Sequence, residues 1–220
     1  LPHSNPSSMI PNGFYKPPRP PRKVGAPGQR TDGGGRTECS NGMTALVPIY
    51  EPKTSGLVYG VTTIERPTFW FYLPAATAAT GIFQLQDANK KMVYDTQISL
   101  PKTAGIFRLT LPDSAPPLEI GKPYRWYFKI VCTGGVDFVD GWIQREAVDR
   151  DLQRQLEQAS AMERSRLYAN HGIWFEALTT AADSRLTDPN SQEWAALLKA
   201  IDLEELAAKP IVDCCEAIAR

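Results

Sequence analysis

Histidine is almost missing from this sequence: His3 and His171 are the only two in 220 residues. His3 lies in a proline-rich leader, and His171 is expected at a helix end, where a surface or capping role is the ordinary one. Charge of one sign is missing too. The 24 Lys and Arg balance 24 Asp and Glu, a formal net charge of zero, so no global field favours nucleic acid or an anionic membrane. Long apolar runs are absent. The longest weakly polar stretch, Trp70 to Phe83, is broken by Pro74 and threonines, well short of the roughly 20 apolar residues of a membrane-spanning helix. There is no G-x-S-x-G nucleophile motif. The glycine-rich GAPGQRTDGGGR at residues 25–36 lacks a following Lys-Ser/Thr and a strand-to-helix setting, which excludes a phosphate cradle. Asp137 and Asp140 lack the ligand spacing of a calcium loop and are expected to be solvated at a strand start. The expectation is a protein without cofactor or metal that is not an enzyme; a hydrolase built around His171 is the reserve reading.

Cysteine is scarce but even in number: Cys39, Cys132, Cys214 and Cys215. Without metal-ligand spacing, that pattern points to two disulfides in an oxidising compartment; buried thiols in a cytosolic protein are the competing account. Of the three pairings, a Cys214–Cys215 bond closes a strained eight-membered ring. The expected arrangement joins Cys214 and Cys215 separately to Cys39 and Cys132, and an intermolecular bridge stays open. No signal peptide is visible, and the chain opens on Leu1, as a processed N-terminus would.

Three segments follow from composition. Residues 1–38 form an extended, basic, Pro/Gly-rich arm. Its run of Lys16, Pro17, Pro18, Arg19, Pro20 and Pro21 favours polyproline II, and it is too poor in apolar surface to build a core alone. Met9, Ile10, Phe14 and Tyr15 are its apolar anchors. Residues 39–147 read as about eight short strands rich in β-branched and aromatic residues, bounded by Pro, Gly and Ser. A hairpin is expected at Asp87–Lys90. Such spacing predicts a β-sandwich. In LEIGKPYRWYFKIV, from Leu118 to Val131, Tyr124 stands where the tyrosine corner of immunoglobulin and fibronectin folds would place its ring.

From Val148 the apolar spacing switches to three and four, so residues 148–220 are expected to be helical in three runs, broken at Gly172 and at Asp188–Ser191, with Ser191 as a cap. Gly172, Ala177 and Pro189 match part of a tetratricopeptide pattern, although one repeat forms no solenoid. A helical hairpin covering one face of the sandwich is expected. The fold class is thus α+β: an immunoglobulin/fibronectin-like antiparallel β-sandwich, a small tetratricopeptide-like helical C-terminal region, and an extended Pro-rich N-terminal arm.

The stretches GAPGQRTDGGGR, TALVP, ERPTFWFYLP, LPDSAPPLEIGKPYRWYF, GWIQR, RLYANHGIWFEALTTAA and the terminal DCC resemble an uncharacterised family found mainly in cyanobacteria, a domain of unknown function whose members look exported. The resemblance spans residues 25–215 and implies an envelope or extracellular setting. It carries no activity and no catalytic residue, and the first two dozen residues lie outside it.

Together these readings give a secreted, non-enzymatic structural protein: a subunit of an extracellular or envelope assembly, filament or sheath, joined through its arm. Met9, Ile10, Phe14, Tyr15 and the Pro17–Pro21 run would dock on a neighbouring copy. Loss of Leu1–Arg36 would then leave a folded monomer. The alternative is a periplasmic protein- or glycan-binding module. Self-association into a homo-oligomer is the expected partnership, without nucleic acid or a membrane span, and an acidic polysaccharide is a further partner the basic arm allows.

Overall fold

Adjacent aromatics, as in Phe69–Tyr72 and Trp126–Phe128, place rings on both sides of their strands, and the computed structural model packs the inner ones between two sheets and covers the outer Trp70 with helices. It describes residues 13–21, 24, 27–31, 39, 41–50, 56–77 and 79–215. Among these residues eight strands form two sheets. β1 (Thr44–Ala45), β3 (Thr68–Leu73) and β6 (Gly105–Thr110) make a three-stranded antiparallel sheet in the order β1-β3-β6. β2 (Tyr59–Thr62), β4 (Thr80–Asp87), β5 (Met92–Ser99), β7 (Pro123–Cys132) and β8 (Gly135–Arg145) make a five-stranded sheet in the order β2-β8-β7-β4-β5. Its pairings are antiparallel except β2 with β8, which is parallel.

The inner faces meet through aromatic side chains at spacing two. Phe83 and Leu85 of β4, with Tyr124, Trp126, Phe128 and Ile130 of β7, face Phe69, Phe71 and Phe107 of the smaller sheet, all of them buried. Phe71 stacks on Phe128 at 4.6 Å, and Phe69 lies 4.9 Å from Phe83. Pairs of this geometry add to the stabilisation that area burial gives.

Four helices follow: α1 (Arg150–Gln158), α2 (Ala161–Asn170), α3 (Trp174–Thr187) and α4 (Glu193–Ala200), then a 3-10 turn at Glu204–Leu206. The run expected as one helix from residue 149 divides at Ala159-Ser160. There the Ser160 hydroxyl accepts from Glu163 N–H while the Glu163 carboxylate accepts from Ser160 N–H, and this reciprocal cap starts a new helix. Ser191 does not cap α4; the cap position is Gln192, without a side-chain bond. The outer face of the smaller sheet is covered by α3 and α4. Trp70 donates its indole N–H to Thr179 at 3.0 Å and meets Trp194 at 5.7 Å, and Arg108 pairs with Asp183. Phe175 plugs the gap beside β2, 5.3 Å from Phe69. No helix among the described residues is long and apolar enough to cross a membrane.

Candidate functional site

The Pro-rich segment is fixed onto its own chain. Proline rings hold residues 17–21 extended, and the two residues before them supply the grip. Phe14 and Tyr15 are buried with the main core, where Tyr15 meets the edge of Trp174 at 5.0 Å. Lys16 N–H donates to the Ala169 carbonyl at 3.0 Å. The strap then crosses Gly172, whose φ of +71° caps α2; a Cβ there would sit 2.6 Å from the Lys16 carbonyl oxygen, so only glycine lets the two backbones approach. Val24 joins Leu57, Tyr59, Val61, Trp142, Leu152 and Ile173 in a second apolar cluster on the outer face of the larger sheet. Phe14 and Tyr15, read from sequence as anchors for a neighbour, are therefore spent within the chain. Met9 and Ile10 lie outside the described residues.

Further along, residues 27–31 are clamped by an ion pair. Asp140 and Arg125 form a buried salt bridge on the outer face of β8 and β7. Asp140 Oδ1 accepts from Gln29 N–H at 2.8 Å, Asp140 N–H donates to the Gln29 carbonyl at 2.9 Å, and Arg125 Nη2 donates to the Pro27 carbonyl at 2.7 Å. The Arg125 guanidinium also lies over Trp142 at 5.2 Å. Asp137 and Asp140, expected in solvent, are both buried. For Asp140 the reason is plain: a carboxylate shared between a guanidinium and a backbone N–H repays its desolvation.

On one flank of the strap a cleft of about 230 Å³ is lined by Pro18, Arg19, Tyr59, Glu146, Asp149 and His171, among others. His171 Nδ1–H donates to the Leu167 carbonyl at 2.8 Å, which leaves the lone pair of the neutral ring on Nε2. Asp149 caps α1 through Leu152 N–H at 2.8 Å, and the Thr63 hydroxyl in the same wall donates to Glu176 at 3.0 Å. Burial first, and the Glu146 charge second, push the Tyr59 phenol above its ordinary value. The cleft offers a base, carboxylates and a guanidinium, with its Thr and Asp engaged in holding structure.

Glu176 itself is buried in the first turn of α3, accepting from the Thr62 hydroxyl and from Thr63 N–H at 2.8 Å. It ties the helix to the end of β2. Burial raises its carboxyl pKa above the usual carboxylate value, against smaller opposing effects of the Thr62 and Thr63 hydrogen bonds. The folded protein therefore holds this proton more tightly than the unfolded chain. Its contribution to stability is complete below the unfolded carboxylate pKa of about 4.3 and is lost as pH rises through the folded value. Glu176→Gln is expected to flatten that decline. Urea midpoints for both proteins across a pH series check this; parallel curves would refute it.

Two disulfides are present, with a pairing that differs from the expected one. Cys39 bonds to Cys132, and Cys214 bonds to its neighbour Cys215. The geometric reason is distance along the fold: the tail at Pro210–Val212 is bonded beside Ile106 of β6, where Cys214 Sγ sits 3.5 Å from the Ser99 carbonyl oxygen, while Cys39 has its partner at the end of β7. Tyr124 is buried at the start of β7, and its hydroxyl accepts from Glu119 N–H at 3.1 Å. Among the described residues no three His, Cys, Asp or Glu side chains gather as a metal site.

Sequence reading missed Arg125–Asp140 and Glu176. The first had a signal: with the β7–β8 turn at Thr133-Gly134, Tyr127 faces Asp140 and Arg125 faces Trp142, so Arg125 and Asp140 become diagonal neighbours. The second had none, because Thr62 and Glu176 are 114 residues apart. No curated protein sequence matches the chain. A family model described as a domain of unknown function, DUF928, matches residues 27–211, from the Pro27 contact with Arg125 to the strand-like tail beside β6. The chain belongs to the DUF928 family.

Proposed function

We propose that this protein is an exported, non-enzymatic component of the cell envelope or extracellular space that works by recognition, as a protein- or glycan-binding module. The observation that carries this is the strap: Phe14 and Tyr15 are seated in their own core, so the Pro17–Pro21 run walls clefts on its own body instead of reaching for another. The body is read as an immunoglobulin/fibronectin-like sandwich. Supporting that are the parallel β2–β8 pair at the edge of an otherwise antiparallel sheet and the Tyr124 bond back to Glu119. The α3–α4 pair is read as a tetratricopeptide-like hairpin used as a cover. Export is supported by two disulfides that leave no free thiol.

A second reading, a subunit of a filament or sheath, is favoured by one surface. Half of the outer face of the larger sheet is covered by Val24 and Leu152, while Phe138 and Val136 on the other half are 38% and 50% exposed, beside Tyr127. Light scattering on the full-length, oxidised protein over a wide concentration range separates the two. The recognition module is expected to remain a monomer; mass that grows with concentration and is abolished by Phe138→Asp would replace it with the assembly subunit.

A further inference from the structure

The tail that follows the last helical turn is pinned to the body. Ile106 N–H donates to the Pro210 carbonyl and Val212 N–H to the Ile106 carbonyl, both at 2.8 Å, so the tail pairs with the edge strand β6. Arg185 Nη1 donates to the Lys209 carbonyl at 3.3 Å. The approach is close: a Cβ on Gly105 would sit 2.7 Å from Val212 Cγ1 and 2.8 Å from the Pro210 carbonyl oxygen. This anchoring holds the Cys214–Cys215 disulfide at the end of β5, half-buried, on an open depression of about 810 Å³. Lys102 and Asp213 both line that depression, so their charges offset and neither sign bars an approaching ion.

The other bridge is built differently. Cys39 is 4% exposed, and its bond to Cys132 closes a sequence separation of 93. A bridge that stabilises the fold is protected by the fold to the same extent, since reducing it also removes what it contributes. Cys214–Cys215 spans a separation of one and restricts the unfolded chain very little. The fold therefore gives it almost no such protection, and its position leaves it open to a thiolate. Accessible bridges of this kind are the ones that exchange.

We infer that Cys214–Cys215 is a redox-active disulfide that exchanges with the dithiol of a partner protein while Cys39–Cys132 stays closed. Cys214 Sγ lies 3.5 Å from the Ser99 carbonyl oxygen, whose lone pairs repel an incoming anion, so the partner's thiolate attacks Cys215 Sγ. The S–S bond breaks as a mixed disulfide forms, and its electron pair leaves on Cys214 Sγ, which takes a proton. The resulting S–H has the Ser99 carbonyl as its acceptor. The partner's second thiolate then attacks the partner sulfur of the mixed disulfide, and Cys215 leaves as a thiolate that is protonated in turn. Two electrons and two protons pass to the cysteine pair, and the partner's dithiol becomes a disulfide. This goes beyond the recognition reading and does not rest on it.

The test is reduction of the full-length, oxidised protein at equilibrium, without oxygen, over a series of ratios of reduced to oxidised dithiothreitol. Free thiols are alkylated and located by peptide mass mapping. Cys214 and Cys215 are expected to be half reduced at a ratio about thirtyfold or more below that needed for Cys39 and Cys132, with tryptophan emission unchanged across the first step. A thioredoxin whose resolving cysteine is replaced by serine is expected to be trapped on Cys215. Transferred to glutathione disulfide, the reduced pair should close again on itself. The inference is overturned if the two bridges open together, if Cys39–Cys132 opens first, or if tryptophan emission changes with the first step. It is equally overturned if no adduct forms, if the adduct lies on Cys39 or Cys132, or if reoxidation leaves glutathione on both Cys214 and Cys215.

Discussion

Deleting residues 1–36 is expected to leave a chain that does not fold stably, and Tyr15→Ala alone to cost about 3–5 kcal/mol. An arm that served only as a tether would be dispensable to its own subunit, and truncation through Arg36 would give a folded monomer. Here the same cut removes Phe14 and Tyr15 from the core, the Lys16 bond to Ala169, and the Gln29 pairing with Asp140. It strands the Trp174 ring edge, the Asp140 carboxylate and part of the Arg125 guanidinium, each of which has lost a partner. Since a domain of this size has about 5–15 kcal/mol in all, the combined loss approaches the total. Urea unfolding followed by tryptophan emission measures it. Equal midpoints for the truncated and intact chains would show that the strap is held by nothing and that the body folds without it.

The second large effect is redox. Removing the Cys39–Cys132 bridge is expected to lower stability by about 2–5 kcal/mol, because it closes a loop with a sequence separation of 93, and loops near that length give about 4–5 kcal/mol in chain-entropy terms. Removing Cys214–Cys215 should change stability by less than about 1 kcal/mol, since joining neighbours at a separation of one restricts the unfolded chain very little. Denaturation of the Cys39→Ala/Cys132→Ala and Cys214→Ala/Cys215→Ala proteins, side by side, checks both numbers. Similar losses in the two would mean the tail near Ser99 contributes by contacts that chain entropy does not describe.

Several elements were legible from residue order alone. Period-two alternation in Thr80–Asp87 and Tyr124–Ile130 put Phe83, Leu85, Trp126 and Phe128 on one face, and the structure buries that face. The turn after Asp87 was equally plain: Asn89 N–H and Lys91 N–H both bond to the Asp87 carboxylate, and Lys90 takes the left-handed φ of +64°. Helix breaks at Gly172 and before Glu193 were legible for the same reason, since each depends on a few adjacent residues. The break at Ser160 was missed although Ser160 and Glu163 form a local cap, because the apolar spacing runs straight through it.

The site was far less legible. Aspartates 137 and 140 looked solvated because charge is usually outside; the burial of Asp140 depends on Arg125, which the chain brings beside it only through the β7–β8 hairpin. Residues 99–103 and 211–215 line one depression from separate parts of the chain, and no periodicity links them.

By itself, then, the order of residues determined the alternation of strand faces, the helix starts that carry caps, the tight turns and the even cysteine count, since these rest on interactions over a few residues. Only tertiary structure decided that the strap belongs to its own core, that Cys39 finds Cys132, and that Glu176 and Asp140 are buried. The physical reason is that pairing distant groups costs loop entropy nearly independent of their identity, so the choice of partner is settled by which contacts the assembled sheets and helices bring within reach.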